Sequence, residues 1–91
     1  MAFTNEAVGQ ETNKIYMEDY THGGLFPLVL GGGMYEVYFS DNFGTVVGIY
    51  NENGDEVSLD STLTRGLYYL EIGINSSVTS ADYVSVRKTA N

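Results

Sequence analysis

The sequence predicts an all-β fold, a small antiparallel β-sandwich or barrel of six to seven short strands. Three observations carry that expectation. Apolar and polar residues alternate with period two through 34–40 and 67–72. Asn/Gly-rich breaks recur at intervals of roughly ten residues, the spacing of turns in a sandwich. Eight Tyr, four Phe and 11 Gly against a single Pro suit pleated strands and tight turns. That aromatic and β-branched content is also too high for a disordered chain.

The elements follow in order. Residues 1–13 read as a mobile or partner-docked arm, with Phe3 and Val8 as its isolated apolar anchors, and 14–91 as one domain. Residues 14–20 give the first strand. Ile15, Met17 and Asp19 also suit a helical period, and the β-rich remainder decides for strand. His22-Gly23-Gly24 is a turn. The apolar run 25–30 reads as a strand buried on both faces, but Pro27 cannot donate to a ladder and demands an edge or irregular position. Gly31-Gly32-Gly33 permits a reversal or bulge with positive φ.

In 34–40, Tyr35, Val37 and Phe39 form the core face, and Met34, Glu36, Tyr38 and Ser40 the solvent face. A turn at 41–44 leads to 45–50, where Val47 and Ile49 share one face and Val46 and Tyr50 the other. Asn51 to Asp55 is a hairpin loop, with Asn53-Gly54 suited to positive φ. The whole run 28–57 thus reads as a β-meander. A short strand at 56–59 precedes 67–72, where Tyr68, Leu70 and Ile72 face inward and Glu71 faces solvent. After a polar loop, 82–88 forms the last strand, with Val84 and Val86 inward and Tyr83, Ser85 and Arg87 outward.

Size and charge narrow the function classes. A chain of 91 residues holds one thin core, and oligomerisation is expected to reinforce it. Without cysteine there is neither disulfide nor thiolate chemistry, which suits folding in a reducing cytoplasm. The net charge of −8, with Lys14, Arg65, Arg87 and Lys88 as its basic residues, argues against a nucleic-acid partner. No membrane partner is expected either. The apolar stretch 25–34 falls short of the roughly 20 residues that span a bilayer, and the first ten residues lack the pattern of a secretory signal.

No catalytic residue, metal ligand or cofactor site is expected. His22, the single histidine, reads as a turn residue between glycines. The loop 51–56 is rich in oxygen ligands but lacks calcium-loop spacing, because Asp60 stands where a glutamate is required, six positions after Gly54. Neighbours such as Glu18-Asp19 and Asp55-Glu56 carry no weight as acid–base pairs, since carboxylates are plentiful at this net charge and adjacent strand residues point to opposite faces. Glycines 31–33 precede a strand and no Lys-Ser/Thr, so they are no phosphate cradle. Asn75-Ser76-Ser77 is a glycosylation sequon by letters alone. Outward tyrosines remain. Tyr38, Tyr69 and Tyr83 on solvent faces mark a contact surface, or become core if the faces are reversed.

Five pieces in order also resemble a loose group of small proteins encoded among the head genes of tailed bacteriophages. They are Gly32-Gly33-Met34-Tyr35, Gly44-Thr45-Val46-Val47, Asn53-Gly54-Asp55, 65–70 and Val84-Ser85-Val86-Arg87, and the resemblance covers roughly residues 24–88. The resemblance implies a non-enzymatic cement or decoration protein of the virion. Such a protein is made in the host cytoplasm and binds the major capsid protein or another virion protein, as a homo-oligomer. Two other readings stand beside it. Tyrosines on one concave face would suit a carbohydrate-binding or adhesion module. Carboxylates spaced like phosphates would suit an acidic DNA mimic, although here they form no run.

Overall fold

The structure, a computed structural model, describes residues 11–17 and 23–90. Seven strands lie in it: β1 (Glu11–Tyr16), β2 (Gly24–Leu30), β3 (Met34–Phe39), β4 (Gly44–Asn51), β5 (Glu56–Val57), β6 (Gly66–Ile74) and β7 (Tyr83–Ala90). They form two antiparallel sheets, ordered β1-β7-β3 and β2-β6-β4-β5. Phe26, Leu28, Leu30, Ile49, Tyr68, Leu70 and Ile72 from the second sheet meet Tyr35, Val84 and Val86 from the first. The all-β expectation holds, and the strands fall within a few residues of the expected spans. The first begins at Glu11, inside the stretch read as an arm. Phe3, Val8, Glu18, Asp19 and His22 lie outside the described residues.

The proline argument also holds. β2 is the edge of its sheet, so Pro27 interrupts no ladder on its outer side. The same position corrects the doubly buried reading of 25–30. Phe26, Leu28 and Leu30 are buried, whereas Leu25 is 57% exposed. An edge strand of a two-layer sandwich has one face on the core and one in solvent.

The meander is a second correction. β3 and β4 do not pair, and residues 40–43 carry the chain from one sheet to the other. The reason is Phe43, which is 1% exposed and sits edge-on to Phe39 with ring centroids 5.3 Å apart. Its carbonyl accepts hydrogen bonds from the Asn75 and Ser76 amides at 2.9 and 3.3 Å. The segment is therefore a plugged corner of the sandwich and not a hairpin. The neighbouring β4–β5 connection is a hairpin, with Asn51 N–H donating to Asp55 O at 2.9 Å. Gly54 alone takes positive φ in its loop (86°), after a turn closed by Gly54 N–H to Asn51 O at 3.0 Å.

A third correction concerns β4. Its register against β6 shifts between Val46 and Gly48, leaving Val47 as an extra residue. Val46 therefore points inward with Ile49, and Val47 is 56% exposed. Strict alternation, which paired Val47 with Ile49, fails at the bulge. Among the triple glycines, Gly32 and Gly33 have φ of 96° and 119°, and Gly33 bridges to Leu63 by two main-chain hydrogen bonds of 2.8 and 2.9 Å.

Candidate functional site: a tyrosine and cation face

β7 lies at the centre of the three-stranded sheet and sets the site. Its alternate residues Tyr83, Ser85 and Arg87 point away from the core, as Val84 and Val86 point into it. Register supplies the flanks. Tyr16 stands opposite Tyr83, and Lys14 opposite Ser85. On the other side Tyr38 stands opposite Ser85, and Glu36 opposite Arg87. The centre of this outer face is filled by three tyrosines and two cations.

The side chains close over that centre along diagonals. Tyr83 lies 5.8 Å from Tyr16 and 6.2 Å from Tyr38, ring centroid to centroid, with planes tilted by 53° and 47°. Lys14 Nζ sits 4.2 Å from the centroid of Tyr83 and 5.9 Å from that of Tyr16. The Arg87 guanidinium sits 4.0 Å from the centroid of Tyr38. Each cation meets the negative face of a ring, a contact worth about 0.5–1 kcal/mol at exposed sites. Beneath them Ser85 has no exposed surface, and its Oγ has no hydrogen-bond partner among the described residues. A small residue is what lets the long neighbours close.

The foot of the face is fixed by hydrogen bonds. Ser40 Oγ accepts from the Tyr83 amide at 2.9 Å and donates to Asp82 Oδ1 at 3.3 Å. Asp82 Oδ2 in turn accepts from the Thr79 amide at 2.9 Å. The turn leading into β7 is thereby tied to the end of β3, which places Tyr83 between its two partners.

Of the expected contact residues, Tyr38 and Tyr83 come together and Tyr69 does not. Tyr69 belongs to β6 and lies on the outer face of the other sheet, opposite Pro27 and Tyr50. Phe3 and Val8 lie outside the described residues. Sequence reasoning missed Tyr16 and Lys14. Their signal was present as a two-residue spacing in the first strand, but no faces were assigned there. It also missed that Ser85, outward by alternation, would be covered.

The second outer face has a different character. Tyr50 O–H donates to Glu71 Oε1 at 2.9 Å. That bond to a carboxylate, with smaller contributions from desolvation and the charges of Glu71 and Glu56, raises the Tyr50 pKa above the ordinary 10.0. Leu25 and Val47 add apolar surface to this side of the molecule. In the hairpin, Asn51 Oδ1 accepts from the Asn53 and Asp55 amides at 2.9 and 3.0 Å, so this oxygen serves the turn. Among the described residues no group of three or more His, Asp or Glu side chains is placed to hold a metal ion.

No family model, curated protein or solved structure matches this chain.

Proposed function

We propose that the chain is a non-enzymatic structural binding module that docks on a larger protein through the outer face of β1, β7 and β3. The finer reading is a cement or decoration protein on the head of a tailed bacteriophage, bound between capsomers. One observation carries the docking reading. Tyr16, Tyr83, Tyr38, Arg87 and Lys14 form one packed group on one face. Tyr and Arg are the residue types that dominate binding energy at protein interfaces. Here they are ordered before any partner arrives, so little rotamer freedom remains to be lost on docking.

Magnitudes favour a lattice as the partner. A stable pairwise interface needs roughly 800 Å² on each side. Three strands about 4.8 Å apart, two of six residues and one of eight at about 3.3 Å per residue, offer roughly 300 Å² in projection. A single docking event on this face is therefore weak, and many copies on one assembly would gain strength by avidity. Stacking on sugar rings is a weaker reading, because Lys14 and Arg87 already occupy the ring faces they meet.

Mass spectrometry and cryo-microscopy of purified virions test the finer reading. The expected result is this chain in high copy, with Tyr16 and Tyr38 at the contact. A chain absent from virions sinks the head assignment, and contact through the other sheet sinks the docking face. The arm is tested by deleting residues 2–10, which spares β1. Retention of the truncated protein at the wild-type level would remove Phe3 and Val8 from the interface.

A further inference from the structure

The other sheet ends in an edge left open over half its length. β4 runs Gly44–Asn51, but β5 pairs with it only at Ile49 and Tyr50. Among the described residues no strand pairs with the outward side of 44–48. A cavity of about 480 Å³ lies beside the point where β5 stops, lined by Val46, Gly48, Ile49, Val57, Leu59 and Glu56. Val46, Val57 and Leu59 are core side chains only half covered.

We propose that this edge accepts an added strand from a partner protein, an extended segment with an aliphatic side chain in the cavity and a Lys or Arg beside Glu56. The main chain determines the first requirement. Outward N–H and C=O groups of a strand are best satisfied by another extended backbone, and the added strand would continue the line of β5. The lining determines the second, since Val46, Ile49, Val57 and Leu59 lose water only to an apolar group. Charge determines the third. Glu56 is exposed at the mouth, and Asp55 and Asp60 are exposed near it. No Lys or Arg occurs anywhere in residues 15–64.

The edge also lacks the usual protection. Open edges are blunted by inward charges, lysines, prolines or bulges. Residues 44–50 contain no charge and no proline. Their bulge at Val47 interrupts the ladder to β6, on the other side of the strand. Exposed Val47 adds a β-branched residue at the same place. This site stands apart from the tyrosine face and does not depend on it.

The probe is a synthetic heptapeptide of alternating valine and threonine ending in lysine, titrated into the full ¹⁵N-labelled chain. Amide shifts and hydrogen exchange are the readout. Slowed exchange in 44–48, with shifts confined to 44–59, is expected. A fully N-methylated peptide should not bind, which tests the main-chain requirement on the unaltered protein. Glu56→Lys, at an exposed position, should weaken the lysine peptide by about two- to fivefold, the effect of one rim ion pair. A peptide ending in glutamate should recover that loss. Equal binding of the N-methylated peptide, shifts on the tyrosine face, or protection of 44–48 by self-pairing as protein concentration rises would each overturn the proposal.

Discussion

The two outer faces of the sandwich use tyrosine in opposite ways. On β1, β7 and β3 the rings pack together on the outer surface, and Lys14 and Arg87 lie on them. On the other sheet the Tyr50 hydroxyl is engaged by Glu71, while Leu25 and Val47 supply the exposed apolar surface. One face is organised through rings and cations around a small central residue. The other is organised through a hydroxyl and a carboxylate. The lesson is that a count of outward tyrosines does not define a surface. What each ring and each hydroxyl meets decides whether a face is ready to dock.

The largest effect should come from refilling the centre of the first face. Ser85→Leu forces Lys14, Arg87 and Tyr38 apart and should cost about 1–3 kcal/mol in urea unfolding, as overpacking does. A change under about 0.5 kcal/mol would mean that the rings and cations do not form one packed unit. Next in size is the coupling between a cation and its ring. A double-mutant cycle with Lys14→Ala and Tyr83→Leu should return about 0.5–1 kcal/mol, and zero coupling would leave Lys14 a solvated charge.

Ser85→Ala should do less, and in the other direction. It removes a buried hydroxyl that has no partner among the described residues, so stability should stay level or rise by up to about 1 kcal/mol. A loss of stability would reveal a hydrogen bond to that oxygen. The smallest effect belongs to the second face and is read by titration. Tyr50 is neutral up to a higher pH in the folded state than in the unfolded chain. Its contribution to stability is therefore complete below pH 10.0 and is lost as pH rises through the folded-state value. Ultraviolet titration should show a late-ionising component that is lost in Tyr50→Phe and moved earlier in Glu71→Gln. An unchanged profile in both variants would separate Tyr50 from Glu71.

Much of this architecture was legible in residue patterns, for reasons specific to each element. Leu70 and Ile72 alternate with Glu71, and β6 lies as that alternation requires. Pro27 called for an edge, and β2 is one. Alternation reports which way a residue points but not which sheet it points from. Tyr69 and Tyr83 were both outward, and only strand order separates them onto opposite sides. Val47 was misplaced because a bulge adds one residue without any mark in composition. The corner at Phe43 was hidden for a related reason. Asp41 and Asn42 look like hairpin chemistry, and the phenylalanine that follows them is what sends the chain into the core.

The pairing of β1 with β7 has a consequence for time as well as shape. These are the first and last of the described strands, with Glu11 opposite Arg87 and Tyr16 opposite Tyr83. Their ladder closes a loop of nearly the whole chain, which is the slowest kind of contact to establish. On the ribosome, β2 to β6 emerge together and can pair early, leaving β1 and β3 waiting for a central strand. The tyrosine and cation face is therefore complete only once β7, the last of the described strands, has been translated.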